Sequence, residues 1–307
     1  MQRLPELRLA LYAVPTLTVA CHCANHPVGS KPKVSGVNIG ANVTLAIETK
    51  QLTRFFGDFC AVDHVELRVE RGTFYGFLGP NGAGKSTTIK MLTGLLAPSD
   101  GDILVLGKRM LDPQQSLEAK SLIGVVPEDL ALFDNLTARE HLTFIGRMYL
   151  LPKDTIRARI DELLPLLELD TAEKKLTMEY SHGMKKKLAL AAALLPNPQL
   201  LFLDEPFEGV DAITSRVIRD MLSSYVARGS TVFLTSHVLD IVERLCTHVG
   251  IIANGKLVEQ ASLDELRQGS SLEERFLEKV GADREATRKL SWLDGLEGVE
   301  GHDEVVP

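Results

Sequence analysis

The segment Gly79-Pro80-Asn81-Gly82-Ala83-Gly84-Lys85-Ser86-Thr87 constrains this chain more than any other. Its spacing, G-x-x-x-x-G-K-[ST], works where a buried strand ends and a helix begins. The glycines let successive backbone N–H groups point into one concavity, and the helix N-terminus adds the positive end of its dipole. In that setting Lys85 reaches the β- and γ-phosphates of a nucleotide, and Ser86 offers its hydroxyl to Mg²⁺. The flanks comply: Phe74–Leu78 reads as a short apolar strand, and residues 84–96 as a helix closed by Pro98-Ser99-Asp100-Gly101.

Strand and helix patterns alternate from residue 45 onward. Strands are expected over residues 45–52, 61–69, 103–106, 123–126, 200–203, 231–234 and 249–252. Helices are expected over 138–150, 153–169, from Ser181 to Pro196, 212–228 and 238–246. Short, continuously apolar strands between helices predict an α/β domain with a mostly parallel, buried sheet. Thr137 and Glu140 have capping-box spacing. The helical stretch between the strands predicts an inserted subdomain over about residues 128–185.

The two ends read differently. Residues 1–44 carry an irregular apolar run and then a Cys/His/Pro/Gly/Ser-rich stretch, expected to be a disordered extension or sequence outside the mature protein. Cys21, His22, Cys23 and His26 crowd together in no usual zinc spacing. The apolar run near Arg3 and Arg8 is similar to a signal-peptide core, but Pro15 breaks it and the nucleotide motif requires cytosolic ATP. Residues 268–307 read as one helix (271–280) and a mobile acidic tail. A net charge of -7 argues against a general nucleic-acid binder. Four scattered cysteines imply a reducing compartment. No stretch reaches the roughly 18–20 apolar residues of a spanning helix, so any membrane partner must supply them.

The strand Leu200-Leu201-Phe202-Leu203 delivers Asp204 and Glu205 at its C-terminal end, where parallel α/β sheets bind ligands. Asp204 fits a carboxylate holding Mg²⁺, usually through water. Glu205 fits a general base for an attacking water.

With these motifs in order, residues 45–260 resemble the ATP-binding domains of ABC transporters. Tyr180-Ser181-His182-Gly183-Met184 stands where that family has its signature, Gly209-Val210-Asp211 resembles the loop after the acidic strand, and Thr235-Ser236-His237 its switch histidine. Residues 123–129 resemble the loop that joins the catalytic core to the helical subdomain. The resemblance implies a P-loop NTPase (RecA-like) core, an N-terminal antiparallel β subdomain and an inserted α-helical subdomain over residues 45–267. It implies ATP and Mg²⁺ as ligands, with nucleotide held by residues 79–87 together with Ser181, Gly183 and Asp211 of the opposing copy. Ser86, Glu128 and Asp204 are the implied metal ligands, and Lys85, Glu205 and His237 the implied catalytic groups. Phe56 resembles the aromatic that stacks on adenine, and a core place beside Phe55 and Phe59 is the alternative. The implied partners are a second copy, or a homologous subunit, and a transmembrane ABC-2-type permease at the cytoplasmic face of the membrane. The implied direction of transport is export.

Ser181 can cap its helix and Gly183 permits close backbone approach. Lys185, Lys186 and Lys187 then crowd a first turn whose dipole disfavours positive charge. An opposing γ-phosphate would relieve the conflict, and a solvated face is the alternative. Two positions depart from the family: Glu128 replaces a glutamine, bringing full negative charge toward the metal, and His182 replaces a glycine. These departures keep open a poorly hydrolysing, ATP-gated clamp. A soluble ABC ATPase is the other alternative, although neither a second cassette nor a long coiled coil occurs.

Overall fold

The computed structural model describes residues 44–267 and 271–280. The expectations for residues 1–43, including the cysteine–histidine cluster and the apolar run, and for the tail beyond 280 lie outside these residues.

The chain enters through β1 (Leu45–Phe56), β2 (Phe59–Val65) and β3 (Arg68–Glu70), then crosses to β4 (Phe74–Leu78) and α1 (Lys85–Leu92). It returns through β5 (Asp100–Val105) and β6 (Lys108–Arg109), and α2 (Pro113–Lys120) leads to β7 (Ile123–Val126). The helical stretch comprises α3 (Ala138–Met148), α4 (Lys153–Leu166) and α5 (His182–Leu194). Then follow β8 (Leu200–Asp204), α6 (Ala212–Ala227), β9 (Thr231–Ser236), α7 (Leu239–Leu245), β10 (His248–Ala253), β11 (Lys256–Ser262), α8 (Leu263–Leu266) and α9 (Leu272–Val280).

The described strands form two sheets. One is antiparallel, ordered β2-β1-β5-β6, with β3 also paired to β1. The other runs β11-β10-β4-β9-β8-β7, and only its edge strand β11 is antiparallel. Its five parallel strands are apolar on both faces because each face is covered. Tyr75 and Phe77 of β4 join Phe202 and Phe233 in a core shared with the antiparallel sheet, while Phe74 and Leu78 face α5, α6 and α7. The helical stretch has its own core of Leu142, Ile145, Ile160, Leu164, Leu188 and Leu195. The box at Thr137 forms as expected: its Oγ1 accepts from Glu140 N, and Thr137 N donates to the Glu140 carboxylate at 2.9 Å.

The strand expected over 61–69 divides in two. His64 turns to a positive φ of +50°, and β3 pairs with an earlier part of β1 than β2 does. Both described cysteines, Cys60 and Cys246, are free. No described helix is long and apolar enough to cross a membrane.

Candidate active site

Three parallel strands end in one row. Pairing sets Leu78 opposite Ser236 and Asp204 opposite Thr235, so the loop after β4, the carboxylates after β8 and the histidine after β9 emerge together. The loop of residues 79–84 makes a tight path that needs glycine: Gly84 has φ +107°, and a Cβ there would meet Ala61 O at 2.5 Å.

Lys85 is 6% exposed. Its ammonium donates to Gly79 O at 2.8 Å and Pro80 O at 3.3 Å. Ser86 Oγ donates to Asp204 Oδ1 at 3.2 Å and lies 3.5 Å from Glu128 Oε2. Asp204 Oδ1 also accepts from Thr235 Oγ1 at 2.6 Å, which fixes the carboxylate below the serine. The buried Glu205 carboxylate lies between Lys85 and His237, with Oε1 3.4 Å from Lys85 Nζ and Oε2 3.1 Å from His237 Nδ1. The Lys85 contact is electrostatic only, because Glu205 Oε1 has no hydrogen-bond donor. A buried acceptor without a donor is costly unless something supplies a proton to share. Glu205 itself lines the cavity that these groups enclose.

These groups border a cavity of about 420 Å³ lined by Phe56, Pro80, Asn81, Gly82, Gly84, Lys85, Ser86, Thr87, Glu128, Glu205 and His237. Gly79, Ala83 and Asp204 lie behind that lining: Gly79 and Asp204 through their bonds to Lys85 and Ser86, and Ala83 through its N–H to Pro80 O. Phe56 is 47% exposed, which excludes the core reading, and Arg54 covers its ring at 4.7 Å. Phe59, Ala61 and Glu208 also line the cavity, and the sequence reading missed them. Phe59 pairs with Phe56 across the β1–β2 turn, and that hairpin spacing was the available signal.

Ser181, Gly183 and Asp211 do not line this cavity. Ser181 caps α5, its Oγ accepting from Met184 N at 3.3 Å. Asp211 caps α6, and bonds from the N–H and hydroxyl of Thr214 hold its carboxyl below the ordinary carboxylate range. A Cβ on Gly183 would meet nothing nearer than Asp211 Oδ2 at 3.8 Å, so this chain's own packing does not demand glycine there.

Two of the three lysines correct both readings of the cluster. Lys186 and Lys187 are buried and turn inward, neither toward solvent nor toward an opposing phosphate. Lys187 pairs with Glu168 at 2.8 Å, and Lys186 donates to the carbonyls of Glu205 and Glu208.

Among the described residues no three His, Cys, Asp or Glu side chains form a metal cluster. The all-oxygen set of Ser86, Asp204 and Glu128 nevertheless fits Mg²⁺, a hard cation that takes one or two protein carboxylates and completes its shell with water and phosphate.

The sequence profile of the family described as "ABC transporter" matches residues 62–208. The bacitracin transport ATP-binding protein BcrA of Bacillus licheniformis is 40% identical over 223 residues, covering 72% of this chain and 71% of that protein. The probable multidrug ABC transporter ATP-binding protein YbhF of Escherichia coli is 40% identical over 229 residues; the match covers 75% of this chain but only 39% of YbhF. Among solved structures, an ATP-binding subunit of an ABC transporter superposes with a TM-score of 0.71 at 32% identity, covering 77% of this chain and 99% of its own. A bacterial ABC transporter cassette solved as a dimer gives 0.66 at 25% identity, covering 71% and 98%.

Proposed function

Because this chain belongs to the ATP-binding proteins of the ABC transporter family, we propose that it binds and hydrolyses ATP to drive a separate membrane permease. The observation that carries the reading is the convergence of Lys85, Ser86, Glu205 and His237 on one cavity, with Asp204 bonded behind Ser86. The loop N–H groups and Lys85 neutralise and align the phosphates. Glu205 accepts a proton from the attacking water through its free oxygen, and His237 holds the other oxygen in place. Mg²⁺, when bound by Ser86 and Asp204 with Glu128 nearby, supplies charge neutralisation for the transferring phosphoryl group. Catalysis is mainly positional and electrostatic.

Ser181, Gly183 and Asp211 serve the nucleotide of a second copy docked head to tail. The lack of any packing demand for glycine at 183 within this chain supports this, and so does the dimeric cassette among similar structures. Phe56 stacks on adenine. The catalytic domain spans residues 45–267, and its helical part, about 128–185, transmits closure to the permease. The permease is of the ABC-2 type, the direction is export, and the chain sits at the cytoplasmic face of the membrane. A relative of Cupriavidus metallidurans named for Nod factor export supports that direction.

Calorimetry should register heat when MgATP is added to the purified chain, and phosphate should be released. No heat from folded protein refutes the reading. Glu128 gives a second expected outcome. Its carboxylate near Ser86 adds negative charge beside the metal, so Glu128→Gln should raise the Mg²⁺ concentration for half-maximal turnover about ten-fold. An unchanged Mg²⁺ titration would place that charge outside the metal's reach.

A further inference from the structure

Helix α5 is capped by Ser181, which does not line the Lys85 cavity, yet about one and a half turns later it reaches the loop that carries Glu205. Lys186 is 6% exposed. Its ammonium donates to Glu205 O at 2.9 Å and also to Glu208 O. Both acceptors belong to one turn, closed by Glu208 N donating to Glu205 O at 3.3 Å. Burial pulls the lysine's pKa below its ordinary value, against the carboxylates of Glu208, Glu205 and Glu128. A buried ammonium is costly, and one that spends its donors on backbone carbonyls fixes backbone rather than neutralising an acid.

That backbone needs fixing. Glu205 has φ +47°, in the left-handed region that side-chain-bearing residues rarely adopt. Its N–H donates to Thr235 Oγ1 at 3.1 Å, and its carbonyl is held by Lys186. These two bonds pin the peptide groups on either side of Cα. They thereby set the direction of the carboxylate between Lys85 and His237.

We propose that Lys186 is a positioning residue that ties Glu205 to α5, so that the Ser181 end of that helix and the Glu205 carboxylate move as one unit. Lys186 stands five positions after Ser181, about 7.5 Å along a rigid helix. This inference rests on the reading in which Ser181 meets the nucleotide of a second copy. Engagement of one nucleotide site then sets the geometry of Glu205 in the other, and the two sites of a pair fire together.

The test uses the full chain with Lys186→Met, which removes the donors at similar volume, and Lys186→Arg, which keeps them. MgATP binding by calorimetry, kcat, KM and the Hill coefficient for ATP are measured. Lys186→Met should bind MgATP within about three-fold of wild type and lose about 30-fold in kcat with little change in KM, as misplacement of a catalytic group does. Its Hill coefficient should fall from well above one to one, and Lys186→Arg should recover most of both. Wild-type kcat and cooperativity in Lys186→Met overturn the proposal, as does a kcat loss matched by lost MgATP binding. A wild-type chain that binds MgATP without turning it over overturns the ATPase reading itself, before any variant is compared.

Discussion

Replacing Glu205 by glutamine is expected to lower ATP turnover by about 10²–10⁴-fold, while MgATP affinity stays within about three-fold of wild type. The amide keeps the size of the side chain and can still meet His237, so packing and phosphate contacts survive. What disappears is the basic oxygen that lies buried without a donor beside the cavity. Because nucleotide still enters and is not consumed, the variant should accumulate as a MgATP-bound dimer on size-exclusion chromatography. Wild-type turnover in this variant would remove Glu205 from the chemistry.

Lys85→Ala should fail at an earlier step. The ammonium borders the cavity, held by two loop carbonyls and 3.4 Å from Glu205. Losing one preorganised donor of this kind costs about 10²–10³ in rate. Lys85 also contributes to ground-state binding, so calorimetry should show MgATP affinity weakened by about 30-fold or more. The two variants therefore separate binding from chemistry: one keeps the nucleotide and cannot use it, the other cannot hold it. Equal MgATP affinity in Lys85→Ala and wild type would contradict the phosphate assignment.

The parts legible in the sequence were those where one physical demand acts alone. Strands β4 and β7 are buried on both faces, so their ends coincide with the ends of apolar runs. The edge strand β11 was missed because it alternates exposed and half-buried positions and carries little apolar pattern. The short helix α2, mostly polar with Pro113 at its start, was missed for a similar reason. At the site, the loop and the acidic strand were readable because their chemistry demands a local spacing. The inward turn of Lys186 and Lys187 was not. A run of charge reads as solvated surface, and only the folded chain supplies the carbonyls of Glu205 and Glu208 and the carboxylate of Glu168. Phe56 was read as a stacking face for adenine, but the core alternative could not be closed from the sequence, since exposure is a property of the hairpin and not of neighbouring aromatics.

The left-handed backbone at Glu205 sets stability and activity against each other at one position. A glycine would relax that conformation, and an asparagine would tolerate it better than glutamate does. Laboratory selection for heat resistance alone would therefore drift toward inert proteins at residue 205. Any library meant to harden this cassette needs position 205 held fixed.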